Sequence, residues 1–228
     1  MTKIRFYGHG CFGTVVNGKN LLFDPFITPN EKASHINIDD IPADYILISH
    51  GHEDHIADVK KIAERTGAKL ISNFEIISWF ASEHNLENGH PMNHGGSWNF
   101  DFGKVKYVNA IHSSTLPDGK SGGNPGGFVI EAENTCFYYA GDTALHMDMK
   151  LIGLQHKLDF ALLPIGDNFT MGYQDAVIAA EFVNTNKVVG LHYDTFGFIE
   201  IDHQKAIESF KNKNISLHLP KIGEEIEL

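Results

Sequence analysis

At 228 residues, with 42% hydrophobic and 11% aromatic side chains, the chain has material for a buried core and length for one large domain or two small ones. Its 18 basic and 29 acidic residues leave a formal charge of −11, which repels polyanions at long range and gives no electrostatic footprint for nucleic acid. The two cysteines, Cys11 and Cys136, lie far apart in no Cys-x-x-Cys arrangement, so they point to neither a disulfide framework nor a thiolate zinc site.

Residues 1–9 read as a strand interrupted by charge, not as a signal peptide, and no apolar run reaches the length of a membrane span. The expectation is a cytoplasmic protein. Strand patterns cover 3–7, 11–16 and 20–24, and Asn17-Gly18 between apolar runs predicts a hairpin. Residues 45–49 form a short continuous apolar run of the kind found in a strand covered on both faces. Helical periodicity follows over 56–65 and stops at Gly67. A strand at 69–72, a helix at 75–85 and a loop at 87–96 come next. Beyond them lie strands at 105–110, 127–132, 135–140, 160–164 and 188–192, with helices at 147–155, 175–184 and 204–212. Both halves read as a β-rich block followed by alternating helix and strand. Two sheets packed face to face with helices outside are therefore expected, and with no linker between the halves 1–228 is read as a single domain.

Fourteen histidines are a marked excess for this length, and metal ligation is the chemical explanation. The run Ser49-His50-Gly51-His52-Glu53-Asp54-His55 concentrates three imidazoles and two carboxylates where a strand passes into a helix. Side chains two residues apart in extended chain share a side, so His50 and His52 can reach one cation together. Asp54 and His55, where the chain turns into the helix, project differently and are placed for a neighbouring cation, while Glu53 points away. Further ligands must come from other strand ends, and His112, Asp142 and His192 each end a predicted strand.

With these residues in this order, the chain resembles the metallo-β-lactamase superfamily, whose His-x-His-x-Asp-His hallmark is complete as His50, His52, Asp54 and His55. The resemblance implies that His112 is the third histidine of a first metal, Asp142 the carboxylate bridging two metals, and His192 the last ligand of the second. It also implies an α/β fold, a four-layer α/β/β/α sandwich. Within the superfamily the chain looks most like small single-domain metal-dependent hydrolases related to ascorbate-6-phosphate lactonase. That likeness rests on Gly8-His9-Gly10-Cys11-Phe12, Leu22-Phe23-Asp24-Pro25-Phe26, Gly141-Asp142-Thr143, Gly166-Asp167-Asn168-Phe169-Thr170-Met171-Gly172 and His192-Tyr193-Asp194-Thr195-Phe196. One departure is Tyr173, where the group's pattern has a proline.

The expected cofactors are two divalent metal ions per chain, zinc or manganese, with iron and nickel also compatible with a His/Asp donor set. Two cations sharing a water bring its pKa toward neutrality and present a bridging hydroxide to a carbonyl or phosphorus, with Asp54 as the catalytic residue that orients it and accepts its proton. An ester-type bond, phosphodiester or lactone, in a small anionic substrate is the expected target. Partners are that substrate, with no membrane, nucleic acid disfavoured and a homo-oligomer left open. An iron-dependent redox enzyme of the same fold is a rival, opposed by the histidine at 52, and an RNA-processing nuclease is another, opposed by the acidic balance. Around the centre, His9 reads either as a partner hydrogen-bonded to a ligand or as a turn histidine, and Asp24 as ligand support or structural. Gly122 and Gly123, in the Gly-rich loop 117–127, are candidates to cradle an anion with backbone N–H groups or are simply part of a mobile connection. His90 and His94 could rim the site from their loop, and Asn168 and Thr170 are candidates for a substrate wall.

Overall fold

Alternation of apolar side chains along the strands decides this architecture, because each strand offers one face to the opposite sheet and the other to helices. The computed structural model describes all residues, 1–228. The first part of the chain forms β1 (Lys3–Gly8), β2 (Cys11–Val16), β3 (Lys19–Phe23), β4 (Tyr45–Leu47), α1 (Glu53–Ile56), α2 (Val59–Thr66), β5 (Lys69–Asn73), α3 (Phe74–His84) and β6 (Gly89–Met92). It continues through β7 (Ser97–Phe100), β8 (Gly103–Asn109), β9 (Gly126–Ala132), β10 (Thr135–Tyr139), α4 (Met149–Gln155), β11 (Phe160–Pro164), α5 (Tyr173–Phe182) and β12 (Lys187–Leu191). The chain closes with α6 (His203–Lys211), β13 (Ser216–His218) and β14 (Glu225–Glu227).

The strands make two seven-stranded sheets, ordered β14-β1-β2-β3-β4-β5-β6 and β13-β12-β11-β10-β9-β8-β7. In the first, β3, β4, β5 and β6 run parallel; in the second, β10, β11, β12 and β13 do. Antiparallel pairing of β1 with β2 and β2 with β3, and of β8 with β9 and β9 with β10, points β1 and β8 the same way as their parallel neighbours. The carboxyl ends of β1, β3 and β4 thus share one edge of their sheet, as do those of β8, β10 and β12.

Leu21, Phe23, Leu47 and Ile71 turn inward against Phe128, Phe137, Tyr139, Phe160 and Leu162 of the second sheet. The intervening Leu22, Ile46, Ile48 and Leu70 face outward onto Val59, Ile62, Ile76 and Phe80 of α2 and α3. In the second sheet Tyr138, Ala161 and Leu163 likewise pack on residues of α4, α5 and α6. This is the four-layer α/β/β/α sandwich expected from the sequence.

The Asn17-Gly18 hairpin forms, with φ of 47° and 77° at its two central residues, the left-handed pair that joins twisted antiparallel strands. Differences fall on short or polar elements. The segment read as a loop at 87–96 contains β6, an edge strand parallel to β5. The helix expected over 56–65 is divided into α1 and α2, because Asp58 turns its carboxylate to accept from Ile27 N (2.6 Å) and Thr28 N (2.8 Å). Tyr173 occupies the first position of α5, where proline is tolerated because the N–H there has no helical acceptor. Both cysteines are free, Cys11 buried and Cys136 half-buried. No helix is long and apolar enough to cross a membrane.

Candidate metal centre

Backbone geometry at three strand ends places the centre. His9 after β1, Asp24 after β3 and His192 after β12 have φ of 55°, 41° and 54°, a left-handed conformation uncommon outside glycine and concentrated at functional sites. Each turns its side chain from the strand end toward the gap between the sheets, where the segment after β4 delivers His50, His52, Asp54 and His55. His112 and Asp142 enter from the loops after β8 and β10.

Asp142 is the focus. Its Oδ2 lies 2.9 Å from His192 Nε2, 3.3 Å from His55 Nε2, 3.6 Å from His112 Nε2 and 3.9 Å from His50 Nε2. Two donor groups flank it: His50, His52 and His112 on one side, and Asp54, His55, His192 and His9 on the other, each set with its donor atoms within 4.8 Å of one another. His50 Nε2 stands 3.0 Å from His52 Nδ1, close to the ~3.3 Å that separates two donors in a tetrahedral zinc shell.

The outer nitrogens are held by the protein. Asp24, fully buried, accepts from Ser49 N (2.8 Å), Ser49 Oγ (2.5 Å), Tyr139 OH (2.5 Å) and His55 Nδ1 (2.7 Å). With its hydroxyl proton given to Asp24, Ser49 accepts from His50 Nδ1 at 2.9 Å, and Ser113 Oγ meets His52 Nε2 at 3.1 Å. The Ser49 and Asp24 contacts set the neutral tautomers that leave His50 Nε2 and His55 Nε2 as lone-pair donors, and with Ser113 accepting from Nε2 the His52 Nδ1 is free in the same way. His55 Nε2 is buried and makes no hydrogen bond, although a carboxylate oxygen is 3.3 Å away. A cation between them would satisfy both, so the donor set fits a metal.

The charge state agrees for His50, His52 and His112, whereas at His55 the Asp142 and Asp24 carboxylates outweigh burial and hold the imidazole well above its ordinary pKa, so a cation bound there would have to displace its proton. Burial, reinforced by His55, pushes His50 well below its ordinary pKa, and burial also lowers His52 and His112. All three are then neutral near pH 7, the form that binds metal. Burial alone would raise Asp142, but the facing His192 and His55 outweigh it and hold the carboxyl well below its usual range. His9 is lowered to about 4, chiefly by burial and then by His192. A neutral His9 donates from Nε2 to Asp54 Oδ2 at 3.0 Å and accepts from Thr195 Oγ1 at 2.9 Å. It is therefore the partner hydrogen-bonded to Asp54, not a bystander in a turn.

Other sequence candidates fall differently. The Gly122 and Gly123 N–H groups are taken by Ser114 O (2.6 Å) and Ser121 Oγ (3.2 Å), so in this conformation they brace the loop against Gly51 instead of offering an anion cradle. His94 pairs with Pro125 O and stacks on Tyr107, and His90 packs on Trp98 and Phe100; both are bound up in aromatic packing. Asn168 and Thr170 lie on the loop after β11, tied to the Asp142 segment by Met171 N to Thr143 O at 3.0 Å. Sequence reasoning did not find Ser49, Ser113, Tyr139 or Thr195. A tyrosine ending a core strand is the one signal available, because a buried hydroxyl needs a partner. A separate group, Glu131, Cys136 and His156, lies near the start of β10; burial and then Glu131 push the Cys136 thiol up to about 12, keeping it protonated.

Gly166 sets a tolerance on this packing. A Cβ there would lie 2.0 Å from His192 O, so Gly166→Ala must displace the His192 backbone. A loss of about 1–3 kcal/mol, the usual cost of overpacking, is expected in thermal melts, with reduced metal content after dialysis. Unchanged melting and metal content would show that the segment yields freely.

The sequence model of the family described as "Beta-lactamase superfamily domain" matches residues 3–192. The chain belongs to this superfamily. A UPF0173 metal-dependent hydrolase of Flavobacterium johnsoniae is 58% identical to it over 99% of this chain and 100% of its own length. One from Christiangramia forsetii is 56% identical over the same shares, so the chain is a member of the UPF0173 metal-dependent hydrolase family. Among solved structures, Igni18, a novel metallo hydrolase from Ignicoccus hospitalis, superposes with a TM-score of 0.88 at 31% identity over 99% of this chain and 97% of that one. The superfamily resemblance is thereby borne out; the likeness to ascorbate-6-phosphate lactonase rests on the motifs alone.

Proposed function

We propose that the chain is a dinuclear metal-dependent hydrolase, one metallo-hydrolase domain over 1–228, cleaving an ester-type bond, phosphodiester or lactone, in a small anionic substrate. The observation that carries this is Asp142 Oδ2, one buried carboxylate oxygen within 3.9 Å of imidazole nitrogens from His50, His55, His112 and His192. An anion so placed is suited to bridge two cations.

His50, His52 and His112 would hold one cation and Asp54, His55 and His192 the other, with Asp142 shared. Zinc or manganese suits the set, and iron or nickel is compatible. When bound, such ions supply a water acidified toward neutral pH and a Lewis acid for the developing negative charge. The protein's own part is positioning and proton transfer. Asp54, held through Oδ2 by His9, keeps its carboxylate ionised because the His9 hydrogen bond and the nearby His55 outweigh its burial. It can orient the attacking water and take its proton. His9, itself fixed by Thr195, prevents Asp54 from rotating away. A cavity of about 510 Å³ shared with His9, Thr195 and Asp194 is lined by Lys221 and by Lys32, whose ammonium bonds Asp194 O, and the Lys221 charge supports an anionic group on the substrate. We place the protein in the cytoplasm, where two free thiols stay reduced.

The test is metal analysis combined with a screen of chromogenic phosphodiester, lactone, thioester and β-lactam substrates. Protein reloaded with zinc or manganese is expected to hold two ions per chain and to hydrolyse an ester class. Stoichiometric iron with visible charge-transfer bands and no hydrolysis would overturn it. Chelation is a further expected result. Stripping the metals with dipicolinate abolishes turnover and lowers the melting temperature, since ions at about 1,000 times their Kd contribute about 4 kcal/mol by linkage. A melting temperature indifferent to the chelator would count against binding at this buried site.

A further inference from the structure

Two loops beside the centre carry aromatic rings that the interior does not use. Phe169, after β11, is 52% exposed; Phe196 and Phe198, on the loop begun by His192, are 40% and 77% exposed. Single exposed apolar residues are ordinary on a protein surface, but a gathered group marks an interaction site. These are gathered. The rings of Phe169 and Phe198 meet edge to face at 6.2 Å, and Phe196 lies edge-on to His9 at 5.3 Å and 6.3 Å from Phe26.

The loops that hold them are firmly built. Asp167 N bonds Met171 O at 3.0 Å, and Asp194 N bonds Ile199 O at 2.8 Å. The loops touch each other where Gly166 faces Ile199. Both are joined to the segments that carry the centre: Met171 N bonds Thr143 O beside Asp142, and Thr195 bonds His9. Ile111, next to His112 and bonded through its N–H to Thr143 Oγ1, is 53% exposed. A largely buried set of imidazoles and carboxylates, with Asp54, His52 and His112 part-exposed, thus has exposed apolar side chains on the loops joined to it.

We propose that Phe169, Phe196 and Phe198 form a wall that takes an apolar group of the substrate, an aliphatic acyl chain or an aryl ring, while the scissile bond sits over Asp54 and Asp142. The proposal rests on the hydrolase reading and narrows it to esters with an apolar group beside the reacting bond. Asn168 and Thr170 flank Phe169 and would contact the polar part of the same substrate.

The test measures binding, independently of turnover. Acetohydroxamate and octanohydroxamate share a metal-binding head and differ by a hydrocarbon tail; their affinities for zinc-loaded protein are measured by calorimetry. A methylene fully buried contributes about fourfold in affinity, and one lying with a single face on a wall about twofold. Octanohydroxamate is therefore expected to bind about 60-fold tighter. The double variant Phe169→Ala/Phe198→Ala should cut that ratio below about tenfold, whereas Leu154→Ala, on α4 and 81% exposed, should keep it. Equal binding of both hydroxamates sinks the wall and leaves the metal centre standing. Failure of both to bind removes the metal centre and the wall together. A ratio unchanged in the double variant also overturns the proposal; if sedimentation then shows an oligomer that the variant dissociates, the rings belong to a contact between copies of this chain.

Discussion

Replacing Asp142 by alanine is expected to reduce hydrolysis at least about 10³-fold, because metal-ion catalysis supplies several kcal/mol of transition-state stabilisation and each 1.36 kcal/mol is tenfold in rate. If the wild type holds the two ions per chain proposed above, the same change should lower metal content to one or fewer. The carboxylate is 4% exposed and faces four imidazoles. Without it, two cations would sit close together with no shared anion to offset their repulsion. The fold should survive, since Asp142 lies in the loop after β10, beyond the strand pairing of β10 with β9 and β11. Asp142→Asn is the informative companion: it keeps shape and hydrogen-bonding capacity but removes the charge, so metal loss there isolates electrostatics from packing. Metal analysis and circular dichroism on the same samples decide it. Wild-type turnover with two metals in the alanine variant would mean that the centre is assigned to the wrong residues.

Legibility from sequence followed the distance over which each feature is determined. His50, His52, Asp54 and His55 are neighbours in the chain, and their strand-to-helix setting fixes them locally, so the cluster was readable. His112, Asp142 and His192 were visible as strand ends, but only the superfamily resemblance gave them roles, because nothing local tells a ligand from a capping residue. The apolar strands β10, β11 and β12 announce themselves by composition. β6 does not: Gly89-His90-Pro91-Met92 is polar, contains proline and sits at a sheet edge, where a missing ladder N–H is tolerated. β14 is three residues whose pairing with β1 exists only because the chain returns from the second sheet to the first. Tyr139 is the clearest case of hidden information. It supports the centre chiefly through Asp24, 115 residues away, and no spacing rule connects them. For Gly122 and Gly123 composition allows either an anion cradle or a plain connection, and only tertiary packing, which occupies both N–H groups, favours the second.

Asp24 carries the second large prediction, and its effect falls first on stability. Asp24→Ala removes the acceptor for Ser49 N, Ser49 Oγ, Tyr139 OH and His55 Nδ1 at a site with no solvent exposure. Each buried donor left without a partner costs about 1–3 kcal/mol, and holding alanine at the left-handed φ of 41° adds about 1–2 kcal/mol. Even with Ser49 Oγ turning to another acceptor, the sum is about 4–11 kcal/mol, against a total stability of about 5–15 kcal/mol for a typical domain. The alanine variant is therefore expected to be largely unfolded or to melt at least about 8 °C lower, taking about 2–4 °C per kcal/mol for a chain of this size. Asp24→Asn should fold, because the amide oxygen keeps part of the acceptor set and asparagine tolerates positive φ. In that variant His55 loses the carboxylate that orients it and raises its basicity, so the affinity for the cation it would share with Asp54 and His192 should fall about 10–100-fold. The His50–His52–His112 position should be weakened less, through the Ser49 hydroxyl alone. Competition titration with a chromogenic chelator resolves the two affinities. Equal weakening at both positions would show that Asp24 braces the whole centre and not His55 in particular, and an alanine variant that melts like the wild type would remove Asp24 from the argument.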